Sequence, residues 1–327
     1  MTRVLEYRVN PEDLSRTAGG ILGKTLKICM GLTPHEISHA KYVPEGITVL
    51  RQLPENGGPG QFVPALVNDR VRAGDVVRVQ FTETASEEQK VIPAEGMDVQ
   101  ILYEDEDVAV LNKPAGIVSH PSHGHYRDSM ANYLAGFYEK RGIEGMIRTV
   151  GRLDKDTSGI IVFAKNAPAA SRLFRQKEQG IFRKTYLAVA AGSPGEGEWK
   201  RWNVVDLPIG PIPGVLMKQQ IIPPPDGKPA LTRYQCCGRW EDASLILAEI
   251  ETGRTHQIRI HMASIGHPLM GDSLYGKDTS GPGMPDRTLL HAWKAVFRKP
   301  FGEEEIRVAA PVPDDMAPFI VHCGISM

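Results

Sequence analysis

Cysteine is scarce in this chain: four residues in 327, namely Cys29, the adjacent Cys236 and Cys237, and Cys323. None stands in a C-x-x-C pair, which argues against a structural zinc site or a dithiol redox motif. So few cysteines in a chain this long fit a reducing compartment. Long apolar runs are missing too. No stretch approaches the roughly 20 residues that a bilayer demands, and Met1 to Pro11 has no signal-peptide core. The expectation is a cytoplasmic protein away from membranes. A surplus of charge is also absent. With 38 basic and 39 acidic residues the formal net charge is -1, so attraction to a polyanion has to come from local clusters of Lys and Arg. With 41% hydrophobic and 24% charged residues, the chain can fill a core, and its length suits two domains.

Along the chain, residues 1–17 read as a polar leader and residues 18–82 as a small module. Leu22, Leu26 and, after Thr33-Pro34, Ile37 suggest helices there. Turns at Asn68-Asp69 and Ala73-Gly74-Asp75 suggest a closing hairpin. Gln52 to Gly60 is a Gly/Pro-rich loop. Residues 83–98 are acidic without apolar periodicity and read as a linker. From 99 to 327 strands alternate with helical segments, and Pro223 to Gly227 and Ser280 to Pro285 are surface loops.

The densest chemical signal is Gly151-Arg-Leu-Asp-Lys-Asp-Thr-Ser-Gly-Ile-Ile-Val-Phe-Ala-Lys165. Ile160 to Ala164 has the composition of a buried strand, so Asp154 to Gly159 is the turn that feeds it. An Asp-rich turn can simply bond its own backbone. A calcium loop is excluded, because Lys165 stands where a bidentate Glu is required. A catalytic carboxylate is the third reading, and the residues alone leave it open against the self-bonding turn. Downstream, Phe182 to Gly192 alternates with period two. Thr185, Leu187 and Val189 face one way; Lys184, Tyr186 and Ala188 face the other. Tyr186 is either an ordinary strand aromatic or a stacking surface for a base.

In Leu245 to Gly266, a strand over 245–250 and a turn at Thr252-Gly253 precede a helix that Thr255 caps, with Ile258, Met262 and Ile265 as its buried stripe. His256 and Arg259 share neighbouring faces. Arg259 is a cation in the first turn, against the helix dipole, which marks a functional position or an exposed edge. His256 and His261 diverge on a helix and do not form a metal pair. The histidines at 120, 123 and 125 lack a partner ligand at metal spacing, so a solvent loop is the better reading. Ala18 to Thr25 misses a phosphate-binding loop, because Ala18 stands where Gly is needed. Arg172, Arg175, Lys177, Arg183 and Lys184 fall within thirteen residues, with only Glu178 opposing, and are read as an RNA-backbone contact.

These segments, from about Gln100 to Trp293, resemble in order the motifs of the RluA family of pseudouridine synthases. Arg152-Leu-Asp154 with Thr157-Ser-Gly159 resembles its R-L-D-x-x-T-S-G signature, although Gly151 stands where many members carry His. Lys184-Thr-Tyr186-Leu-Ala188 resembles its K-x-Y-x-A motif, and Gly253 to His261 its arginine segment. Leu111 to Pro121 resembles its K-P-x-G opening, physically a strand, a turn and a second strand. Leu289 to Ala292 resembles a late apolar motif.

The resemblance implies an α+β catalytic domain with a mixed, largely antiparallel sheet, and a cofactor-free isomerase acting on ribosomal or transfer RNA. It implies that Asp154 is catalytic, that Tyr186 stacks on the uracil, and that Arg259 pairs with Asp154. Arg152, Thr157, Lys184, Arg254, His256, Gln257 and Leu290 then support the substrate site, and Lys113 touches a phosphate. Residues 18–82 resemble the small RNA-binding module that precedes many such domains, named after a ribosomal small-subunit protein. No metal is expected, and a monomer is. Two alternatives stay open: an RNA-binding protein that keeps the fold without activity, and a glycosidic hydrolase using Asp154 with Asp156.

Overall fold

The computed structural model describes residues 2–51, 60–82, 91–143, 146–194, 201–215, 217–240, 242–276 and 285–321. Residues 52–59 of the expected loop, half of the 83–98 linker (83–90) and most of the loop at 280–285 lie outside the described residues. The chain forms two compact units, Met1–Gln89 and Lys90–Met327.

The first unit holds β1 (Thr2–Arg8), α1 (Pro11–Arg16), α2 (Leu22–Ile28), α3 (Pro34–Ala40), β2 (Ile47–Leu50), β3 (Phe62–Pro64) and β4 (Val76–Thr82). The helices start where the turn chemistry says. Thr33 accepts from the Glu36 backbone N–H while the Glu36 carboxylate accepts from the Thr33 N–H, with Pro34 opening the first turn. The four strands run in the order β1-β4-β2-β3, all antiparallel. Two expectations are corrected. The supposed leader is an edge strand, zipped to β4 from Thr2 opposite Thr82 to Arg8 opposite Val76; it reads as polar because only Leu5 is buried. The turns near Asn68 and Gly74 do form, but β4 pairs with β1 and β2 instead of closing a hairpin on Arg70, which meets only Ile21 in a single bridge.

The second unit contains β5 (Ile101–Glu104), β6 (Val108–Lys113), α4 (Met130–Glu139), β7 (Arg148–Thr149), β8 (Ser158–Ala164), α5 (Ala167–Glu178), β9 (Arg183–Ala191), β10 (Asn203–Asp206), β11 (Ile209–Pro211) and β12 (Gln219–Ile221). It continues with β13 (Leu231–Arg239), β14 (Ala243–Ile250), α6 (Gln257–Ser264), β15 (Leu290–Arg298), β16 (Glu305–Ala309) and α7 (Ala317–Val321). Eight strands follow the order β10-β13-β14-β9-β15-β8-β6-β5, with β16 added on β15 and β7 on β8. Only β15 and β8 run parallel. The fold is therefore α+β with a mixed, largely antiparallel sheet. β11 and β12 make a separate small ribbon.

The alternation read along 183–191 sorts the two faces. Tyr186, Ala188 and Ala190 join a core with Met130, Leu134, Leu173, Ile258 and Met262, from α4, α5 and α6. Leu187 and Val189 join a second core with Leu245, Trp293 and Ile320. β8 is buried throughout, as its unbroken apolar run requires. After β6 the expected second strand shrinks to one bridge, Val118 to Ser129.

Candidate active site

Between β7 and β8 the chain turns sharply, and each backbone unit flanking Asp154 is held from outside. Ser119 Oγ accepts from the Leu153 N–H at 2.9 Å and donates to the Leu153 carbonyl at 2.8 Å. The Lys155 carbonyl accepts from Lys113 Nζ at 3.0 Å and from the Gly116 N–H at 2.9 Å. The Asp156 carbonyl accepts from Arg287 Nη1 at 3.2 Å, and the Asp154 carbonyl from the Thr157 N–H at 3.2 Å. Gly159 closes the turn at φ +102°, where a β-carbon would lie 2.3 Å from the Ala292 carbonyl oxygen. With the backbone so pinned, the half-buried Asp154 side chain has a fixed origin on the wall of a cleft of about 1200 Å³.

The cleft brings together Arg152, Asp154, Thr157, Lys184, Tyr186, Arg254, Gln257 and Leu290. Tyr186 is 5% exposed. Burial pushes its hydroxyl far above the ordinary phenol range, and the nearby Asp154 charge pushes the same way, so it presents a neutral ring. Leu290, on β15 two residues before the β-bulge beside Trp293, lies 3% exposed in the same cleft. Lys184 reaches inward to donate to the Ile160 carbonyl at 2.8 Å, and burial, with the neighbouring Lys177 charge, draws its ammonium down to about 7. Gln257 is locked: its Nε2 donates to the Leu231 carbonyl and Thr232 Oγ1, and its Oε1 accepts from the Arg254 N–H and Thr252 Oγ1.

Three expected placements are corrected. Arg259 does not pair directly with Asp154. Its Nε and Nη2 donate to the two Asp272 oxygens at 2.8 and 2.7 Å, in a pair 5% and 0% exposed. Burial works to lower the Arg259 pKa; the Asp272 bonds and charge, then the more distant Asp154 charge, overcome it and raise it. Asp272 wins because the Gly271 turn presents both its oxygens in a fork that a guanidinium fills, and its Oδ1 is fixed by the Leu274 and Tyr275 N–H groups. Lys113 cannot touch a phosphate. It is wholly buried, and its ammonium donates to the carbonyls of Pro114, Ile117 and Lys155. Arg172 is also buried, with its guanidinium 4.2 Å above the Phe301 ring.

Of the basic run, Lys177, Arg183 and Lys184 line the cleft, whereas Arg175 is exposed elsewhere. His256, not Thr255, caps α6, in the left-handed region at φ 56°, and its Nδ1 meets the Tyr275 hydroxyl at 3.1 Å. Neither His256 nor Arg259 lines the cleft. Asp272 and Tyr275 were missed by sequence reasoning; their signal was a Gly-Asp turn followed three residues later by Tyr. Ser119 was missed in the same way, whereas Lys177 had been read within the basic run. His120 lines the cleft although its segment read as architectural. Among the described residues no group of three or more His, Cys, Asp or Glu is placed to hold a metal ion.

Arg148, Arg152, Lys177, Arg183, Lys184, Arg233 and Arg254 line the cleft beside four carboxylates, Asp154, Glu178, Glu249 and Glu251, the last paired with Arg233, so a chain of net charge -1 keeps an excess of positive charge around Asp154. That is the layout of an enzyme that admits a polyanion to carboxylate chemistry. A family model described as RNA pseudouridylate synthase matches residues 107–264. "Uncharacterized RNA pseudouridine synthase YjbO" of Bacillus subtilis is 37% identical over 250 residues, 76% of this chain and 84% of that protein. "Ribosomal large subunit pseudouridine synthase D" of Nitrosomonas europaea is 35% identical over 77% of this chain and 73% of that protein. The solved structure of human RNA pseudouridylate synthase domain containing 4 shares the fold, with a TM-score of 0.57 at 22% identity over 70% of this chain and 94% of that one.

The chain belongs to the RluA family of RNA pseudouridine synthases. It is an isomerase that converts uridine to pseudouridine in RNA. No helix among the described residues is long and apolar enough to cross a membrane.

Proposed function

We propose that this isomerase modifies uridines in ribosomal RNA, with Asp154 as the essential carboxylate and Tyr186 as the surface on which the target uracil stacks. One observation carries the residue assignment: a carboxylate on an externally pinned turn shares a basic-rimmed cleft with a buried, neutral tyrosine. The reaction breaks the bond from ribose to the uracil ring nitrogen, turns the base, and rejoins it through carbon 5, whose proton leaves as the ring nitrogen gains one. A stacked, paired uracil cannot reach such a cleft, so the nucleotide is flipped out of its helix first. Asp154 acts ionised, as nucleophile or as base.

The cations around it act at different distances. Arg152 and Arg254 on the rim serve the RNA, together with Arg183. Arg259, held by Asp272 behind the wall, ties α6 to the Gly271 turn. His256 and Gln257 position this wall, and Lys184, Thr157 and Leu290 shape the base pocket. The ribosomal target is supported by the names of relatives such as the Nitrosomonas protein. The few cysteines, unbridged among the described residues, support a cytoplasmic location. Chemical labelling of pseudouridine across total RNA, with and without the protein, tests the target. Loss of label at ribosomal positions is expected; loss confined to transfer RNA would overturn the ribosomal assignment.

A further inference from the structure

Lys177 stands near the C-terminal end of α5 and is an exposed residue, with its ammonium turned toward the cleft. Two glycines make that possible. A β-carbon built on Gly151 would lie 3.0 Å from the Lys177 Nζ, and one built on Gly253 would lie 3.4 Å from it. Gly151 begins the Asp154 turn and Gly253 the turn before α6. The ammonium thus fills the notch where the two turns meet, a place any larger side chain at 151 would claim. Among the described residues no carboxylate pairs with it, and burial lowers its pKa with no opposing anion. Lys184 lies close enough to feel its charge. Two cations therefore converge on one part of the cleft.

We infer that the Lys177 ammonium, seated between Gly151 and Gly253, binds a backbone phosphate of the RNA strand that enters the cleft. The inference rests on the reading that this cleft takes the substrate RNA. A partly desolvated cation without a counter-charge gains most from an anion the ligand brings. The notch joins the turn that carries Asp154 to the turn that leads into α6, so a phosphate held there registers the strand against both. Gly151 and Lys177 are then one device: the missing side chain of the first makes room for the second.

The test uses the full chain and oligouridylate as the probe, with the dissociation constant measured across a salt series. Each phosphate contact on a single strand contributes about 0.7 to the slope of log affinity against log salt. Lys177→Met should weaken binding and lower that slope by about 0.7, while Lys177→Arg should keep it near wild type. An unchanged slope in Lys177→Met would overturn the inference, as would an equal loss in Lys177→Arg, which retains the charge. Lys177 is an exposed residue, so neither variant should unfold, and coincident thermal melts check that. Pseudouridine formation by the wild type in bulk RNA, run alongside, reports separately on the assignment of the cleft. A synthase whose slope ignores Lys177 refutes this inference alone.

Discussion

Replacing Asp272 by Asn keeps the shape of the side chain and removes its charge. The amide oxygen can still accept from the Leu274 and Tyr275 N–H groups, now at 3.0 and 3.1 Å. What is lost is a two-bond ion pair whose members are 5% and 0% exposed, which leaves the Arg259 guanidinium charged and uncompensated in the interior. Removing one member of a buried pair costs about 3–5 kcal/mol. The surviving amide acceptor places this variant near the lower end, about 3 kcal/mol. For a unit of this size that corresponds to a fall in melting temperature of about 6–12 °C. Differential scanning calorimetry of the wild type, Asp272→Asn, Arg259→Gln and the double variant closes a double-mutant cycle. The double variant, with no orphaned charge, should be more stable than the sum of the singles predicts, with a coupling of about 2 kcal/mol. A single-variant drop below about 2 °C, or additive losses, would refute the claim that Asp272 is what holds Arg259 in place.

Other outcomes follow from the same structure. Tyr186→Ala should weaken RNA binding by about 1–3 kcal/mol, while Tyr186→Phe keeps most of it; equal affinities in an RNA titration would remove the ring from the base site. His291, buried and bonded to Ser158 Oγ at 2.9 Å, is pushed from 6.5 down to about 4, first by burial and then by the Arg287 charge. Above about pH 6.5 both the folded and the unfolded chain carry it neutral. As the pH falls from there to about 4 only the unfolded chain takes the proton, so stability falls by up to about 3 kcal/mol, and below that the loss is complete. His256 and His261, also pushed down by burial, act in the same direction. His291→Gln should flatten part of this acid slope in denaturant titrations at several pH values, and an unchanged slope would contradict the assignment.

What could be read from the sequence was what is local. The Asp154 turn announced itself because the strand that follows is unbroken apolar residues, Ile160 to Phe163, and the period-two face of Tyr186 sorted correctly into its core. The distant pairings were hidden. β1 carries a single buried side chain, and its strand character comes from β4, far along the chain. Lys113 looked like a surface cation, yet the carbonyls of Pro114, Ile117 and Lys155 draw it inside. Arg259 was matched only with Asp154, because nothing local in the sequence reveals that the Gly271 turn offers a fork of its own. The Lys177 notch needed the two glycine turns to be seen together, although each was visible singly.

The most direct test of the account is Asp154→Asn, purified and given RNA from cells that lack the protein, with binding and pseudouridine formation measured together. The account predicts that the variant binds the RNA and forms no pseudouridine, while the wild type forms it at the same positions. Pseudouridine formation by Asp154→Asn at the wild-type rate would contradict the claim that this carboxylate performs the chemistry.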